Sequence, residues 1–467
     1  MAIFVYIPAY RQAGVHKISG SMEYHGTKLT RNVRRTILAT FFALFFVITP
    51  LIIMYTEGYR YDFKNGQRRE IGAISIDTEP INATVNMDGV EIKSGMPIRL
   101  NNITPRKYHV RISAPNYFDW NKDIEIANKQ TFYIKEISLI KKNSPELILP
   151  QTATSIELSS DKNYLAFINQ STVTLYNTKD NRTTTIHTAA SADLKISWGP
   201  NHNWLVITNK NTPFTTAILI NADAPDKKIN LAQTTKQPIT KLQWKETVDP
   251  ELFYSTNQEI KSFKPITGNT YLVTKNIFLD WFMENGTLWT LQTTTNTIGF
   301  KIIKDTIGFA SEYQIADAKN LLKNSHSLSI IQAIRDQILL KFNDQSLMLL
   351  CTHRAVFKIA GDKFTISPYN NWWLFWTPWE LTTYSEGDEP ILLNRSGEGL
   401  QQVLPMDKFN TLALVWNNKT TALFPYYLVT HDLISSSVTG ATADNVNHIL
   451  YFSGKIKDEE GIWKLSY

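Results

Sequence analysis

From Ile37 to Tyr55 the chain reads ILATFFALFFVITPLIIMY, nineteen residues without one charge. At ~1.5 Å of rise per residue, a helix of that length crosses close to the ~30 Å hydrocarbon layer of a bilayer. Pro50 is tolerated inside lipid, and Tyr55 and Tyr59 suit the far interface. A buried core helix would need helical neighbours to enclose it, and the surrounding sequence offers none. A cleaved signal peptide would carry a shorter apolar region, about 7–15 residues, and a small-x-small site that the following TEGYRYDF lacks. The run reads as an uncleaved anchor, in contact with membrane lipid over residues 37–55.

Charge then sets an orientation. The chain holds 48 Lys+Arg against 42 Asp+Glu, a net +6. Residues 1–36 account for +5 of it, with Arg11, Lys17, Lys28, Arg31, Arg34 and Arg35 against Glu23. The basicity is therefore local to the membrane flank, and nucleic acid is not an expected partner. Four cations lie in the nine residues before Ile37 and two in the nine after Tyr55, although Arg68 and Arg69 even the count in a wider window. Proximity to the bilayer matters most, so Arg31, Arg34 and Arg35 should hold the arm in the cytoplasm and place the rest outside it. Met22, nearer the basic flank, is an alternative start. The lone cysteine, Cys351, excludes an internal disulfide, and oligomeric state is left open.

After a juxtamembrane linker, 56–70, residues 71–140 alternate with the two-residue period of strands. Ile74 and Ile76 begin one stripe; Ala83, Val85 and Met87 continue it, and Asp88-Gly89 supplies a tight hairpin turn. Tyr108, Val110 and Ile112 follow, then Pro115-Asn116 as a turn, then Ile124, Ile126, Phe132 and Ile134. About seven short strands predict a small β-sandwich. The strings Gly72-Ala-Ile-Ser-Ile, Pro80-Ile-Asn-Ala-Thr-Val-Asn-Met-Asp-Gly89, Met96-Pro-Ile-Arg-Leu100 and Tyr108-His-Val110 resemble the PEGA domain. Pro80-Ile81-Asn82-Ala83 keeps the ends of that family's Pro-Glu-Gly-Ala motif and loses its middle, and Arg106-Lys107 stands where a Gly is usual. The resemblance implies an extracytoplasmic sandwich without catalytic residues.

Residues 141–150, with two prolines, read as a linker. Beyond it a pattern of apolar strand, polar turn and apolar strand recurs: ELSSDKNYLAFI from Glu157, SWGPNHNWLVIT from Ser197, QWKETVDPELFYS from Gln243, DWFMENGTLWTL from Asp280, SPYNNWWLFWT from Ser367 and VWNNKTTALFPYYLV from Val415. A weaker copy lies near Ser329–Leu340. Seven units of about 45 residues predict a seven-bladed β-propeller over 151–467, a many-stranded sandwich being the structural rival. Leu158-Ser-Ser-Asp-Lys-Asn-Tyr-Leu-Ala-Phe167 resembles the repeat of TolB-type propellers, a WD-like architecture. The whole is expected to be an all-β ectodomain, sandwich then propeller, behind one transmembrane helix.

Motifs with chemistry are few. No phosphate loop, nucleophile elbow or His-Glu-x-x-His occurs, and the nine histidines are scattered singly, so no catalytic, cofactor-binding or metal residue is assigned. Glu284-Asn-Gly286 reads as a hairpin turn, and Asp458-Glu459-Glu460 as a solvated acidic loop. The densest aromatic run, Trp372 to Trp379, has both strand faces apolar, as packing between blades requires. Its functional reading is a platform for sugar rings or a partner protein, built from Trp372, Trp376 and Trp379, with Trp379 exposed beside Pro378. These features predict a single-pass cell-envelope protein in the cytoplasmic membrane that binds or scaffolds an envelope protein or glycan without catalysis. The alternative is an envelope polysaccharide hydrolase or lyase with its site on the propeller axis.

Overall fold

The computed structural model describes residues 30–56, 59–62, 67–92, 95–256, 259–275, 278–284, 287–293, 298–304, 309–315, 328–334, 337–342, 347–351, 354–359, 361, 363–385 and 389–467. Met22, most of the basic arm, His16, His25, His326, His353 and the Asn285-Gly286 turn lie outside them. The apolar run sits in helix α1 (Arg31–Thr56), 26 residues long, with Arg31, Arg34 and Arg35 in its first turns and no residue buried. That is ~39 Å of helix, enough to cross a membrane. The Thr36 and Thr40 hydroxyls donate to the carbonyls of Asn32 and Thr36 at 3.0 and 2.9 Å, so both are satisfied within the helix. The stretch expected as a juxtamembrane linker contains a hairpin, β1 (Tyr59–Asp62) paired with β2 (Gln67–Glu70).

Seven strands follow: β3 (Gly72–Glu79), β4 (Thr84–Met87), β5 (Val90–Ile92), β6 (Ile98–Ile103), β7 (Arg106–Ser113), β8 (Trp120–Ile126) and β9 (Thr131–Ser138). They form two sheets, β6-β3-β9 and β5-β4-β7-β8, with β3 and β9 parallel. The alternating stripes meet between the sheets, where Ile74, Ile76, Val85, Val110, Ile112, Ile126 and Ile134 are fully or almost fully buried. Asp88 and Gly89 take φ of 50° and 82° at the β4–β5 turn, the left-handed pair a two-residue hairpin needs. The Asp88 carboxylate accepts the His109 N–H at 2.9 Å and pairs with Arg106 at 2.7 Å; these two bonds hold its pKa below the usual range.

Beyond the sandwich, the described residues form eight four-stranded antiparallel sheets, each in strand order along the chain except the last. Blades 1 to 7 span 155–188, 194–230, 241–274, 280–315, 328–359, 363–395 and 400–434. Blade 8 takes three strands from 438–466 and its outermost strand, β10 (Glu146–Leu149), from the stretch expected as a linker. The propeller thus stands as expected, with eight blades where the repeat count predicted seven. The copy from Val415 straddles the second and third strands of blade 7, Leu412–Trp416 and Thr420–Phe424, which hid the two inner hairpins on either side of it.

Every neighbouring pair of blades is joined, so the ring is closed. Trp198 donates its indole N–H to the Glu157 carbonyl at 3.2 Å, and Trp244 to that of Ser197 at 3.1 Å, tying blade 2 to blade 1 and blade 3 to blade 2. The Gln243 side chain and the Met283 backbone bond reciprocally across blades 3 and 4. Trp373 reaches Gln337 between blades 5 and 6, and Gln402 reaches the Ala441 carbonyl between blades 7 and 8. The last seam closes where Thr439 Oγ1 donates to the Ala153 carbonyl at 2.9 Å. Second strands such as Trp373–Trp376 are buried on both faces, whereas the outer strand Asn269–Thr274 is exposed almost throughout. That contrast is why inner strands read as continuous apolar runs.

Candidate functional site

First strands meet at the seams of blades 1 and 2, 4 and 5, 6 and 7, 7 and 8, and 8 and 1, so they line the axis of the ring. Antiparallel order then divides the turns. Those linking first to second and third to fourth strands lie on one face; those linking second to third strands, and one blade to the next, lie on the other. Lys241, Asp280 and Ile330 come at or near the starts of the inner strands Lys241–Trp244, Asp280–Glu284 and Leu328–Ile334, on this second face. Lys241 Nζ lies 3.0 Å from each Asp280 oxygen and donates to the Ile330 carbonyl at 2.8 Å. Asp280 also accepts the Ile330 N–H at 2.7 Å. Burial pulls the Lys241 pKa down and Asp280 partly restores it. A cavity of about 560 Å³ opens beside this pair across blades 3, 4 and 5.

On the axis, Glu157 of blade 1 is reached by solvent yet crowded by the ring. That crowding pushes its carboxyl up to about 7, against a smaller downward pull from Lys195 of blade 2. Among the described residues no group of three or more His, Cys, Asp or Glu side chains is arranged to hold a metal ion.

The sandwich occupies the first face, over blades 7 and 8. Lys408 of blade 7 pairs with Glu79 at 2.8 Å. Tyr427 Oη accepts the Lys135 N–H at 3.0 Å and donates to the Lys135 carbonyl at 2.8 Å, while its ring meets Trp120 edge-on at 5.2 Å. Phe118 stacks on His431 at 5.6 Å, and sandwich and blades share one apolar core. Residues 71–139 match the PEGA domain. This domain meets the ring through the Glu79 end of β3, so its Gly72 end, where the chain arrives from α1, lies ~25 Å away along the strand.

No curated protein sequence matches the chain. Among solved structures, the β-propeller domain of Cps50 (Swd1) from Myceliophteria thermophila is similar at 10% identity and TM-score 0.36, over 68% of this chain and 96% of that one. Hsv2 from Kluyveromyces lactis is similar at 12% identity and TM-score 0.37, over 61% and 97%. The eight-sheet ring rests on its own strand pairing.

The three tryptophans expected as a platform are separated. Trp376 is 6% exposed, packed between blades 6 and 7 with its N–H on the Gln401 carbonyl at 3.3 Å. Trp372 lies at the PEGA-bearing face, edge-on to Tyr426 at 5.0 Å. Trp379, 58% exposed, lies at the far end of the same strand on the opposite face. Lys241 and Asp280 were not singled out in the sequence, being 39 residues apart. The one available signal was their matching place at the start of successive repeats.

Proposed function

We propose that the chain is a single-pass protein of the cytoplasmic membrane, N-terminus inside. In this reading its PEGA domain and propeller form a non-catalytic binding or scaffolding module in the cell envelope, with an envelope protein or glycan as partner. The polarity of the ectodomain carries the reading. The unburied apolar helix leads to the end of the PEGA domain remote from the ring. The domain grips one propeller face, which leaves the other, with its cavity and Trp379, directed away from the bilayer. Arg31, Arg34 and Arg35 at the start of α1 support an inside N-terminus.

A polysaccharide hydrolase or lyase working from the axis is the second reading, favoured by the raised carboxyl of Glu157. Hydrolysis by the usual route needs a second carboxylate facing the same bond, and Asp280 is already held by Lys241 and the Ile330 N–H. The topology is tested by fusing, at the C-terminus, a reporter active only outside the cytoplasm and, separately, one active only inside. Activity of the outside reporter alone is expected. Activity of the inside reporter alone overturns the topology.

A further inference from the structure

The cavity of about 560 Å³ shared by blades 3, 4 and 5 falls within the roughly 300–1,000 Å³ usual for small-molecule sites. Its charges cancel internally. The three Lys241 protons are used by the two Asp280 oxygens and the Ile330 carbonyl, so the pair offers little to an ionic ligand. What the lining does offer is hydroxyls. Thr240 Oγ1 and Ser255 Oγ lie 2.9 Å apart, and Thr256 and Ser329 add two more. Thr240 Oγ1 also lies 3.3 Å from the Ser255 carbonyl, and since a hydroxyl can donate once and accept twice, both side chains keep acceptor capacity beyond these contacts. Trp281 backs the cavity as part of the core, 1% exposed. Phe278 and Leu279 place apolar surface beside these groups.

We propose that this cavity binds a neutral saccharide unit of an envelope glycan. Sugar hydroxyls would pair with Thr240, Ser255 and Ser329, and the C–H face would lie on Phe278 and Leu279. An acidic sugar or nucleotide brings charge that the closed Lys241–Asp280 pair does not meet. The proposal rests on the ectodomain being a binding module, and it names the ligand class.

The test uses the full chain in lipid nanodiscs, titrated with maltotriose, cellotriose and N,N′,N″-triacetylchitotriose, with a sialylated trisaccharide and triglycine amide as contrasts. Saturable 1:1 binding of at least one neutral trisaccharide is expected. Thr240→Val and Ser329→Ala should weaken it at least about tenfold while melting as the parent does. The proposal is overturned if no neutral trisaccharide binds, if triglycine amide or the acidic sugar binds instead, or if both variants bind as the parent does. Should Thr240→Val fail to fold, Thr240→Ala takes its place. A negative result with the C-terminal reporter still outside rejects the saccharide site and leaves the topology standing.

Discussion

Lys241 and Asp280 form a two-oxygen ion pair across the seam between blades 3 and 4, and through Ile330 the same pair grips blade 5. Both side chains are largely withdrawn from solvent. Removing one partner strands the other charge, so Asp280→Leu alone should cost about 3–5 kcal/mol. The double variant Lys241→Met/Asp280→Leu should cost much less than the two single changes added together. Denaturant unfolding of the four proteins in the cycle measures this, and additive losses would show that the pair is not coupled.

Glu157 makes stability depend on pH. Its carboxyl titrates near 4.5 when unfolded and is pushed up to about 7 in the ring. Between those values the folded state binds more protons, so the contribution is fully present below about 4.5 and is lost as pH rises through 7. Glu157→Gln should therefore melt like the parent at pH 4.5 and be more stable at pH 8. Since solvent reaches the side chain, the gain is about 1 kcal/mol. Equal melting of the two proteins at pH 8 would remove Glu157 from the account.

Ring closure depends on β10 lying close against the last strand of the chain. A Cβ at Gly461 would sit 2.5 Å from the Leu149 carbonyl and would meet the Leu147 side chain. Gly461→Ala should displace β10 and cost about 1–3 kcal/mol. Limited proteolysis near residues 146–149 reports it, with faster cleavage expected in the variant. Unchanged cleavage and melting would mean that the outer strand tolerates the shift.

Trp376 and Trp379 are three residues apart and should behave oppositely. Trp376→Ala opens a void between blades 6 and 7 and should cost about 3–5 kcal/mol. Trp379→Ala removes an exposed ring and should change stability by less than about 0.5 kcal/mol. If Trp379 meets a partner, its loss should weaken recovery of that partner from solubilised envelope without shifting the melting curve.

Local pattern carried much of this architecture. The PEGA domain was readable because Ile74, Ile76, Val85, Val110 and Ile112 alternate on strands that each bury one face. The propeller was readable by period, since second strands such as Trp373–Trp376 are apolar on both sides. The eighth blade was not, because β10 and its partner strand Glu459–Ser466 are joined only by ring closure. Nor was the separation of Trp372 from Trp379, which depends on the turns of blade 6 leaving from opposite faces of the ring.

By itself, then, the sequence determined an uncharged helix with a basic flank, a sandwich of about seven strands and a ring of repeating hairpins, because each follows from periodicity within a few dozen residues. Tertiary structure alone decided that blade 8 joins Glu146–Leu149 to the C-terminal strands, and that Lys241, Asp280 and Ile330 share one cavity. It also set the PEGA domain on the face opposite that cavity. Those relations join residues 39 to 329 positions apart, and only packing of apolar surfaces around a closed ring brings such residues together.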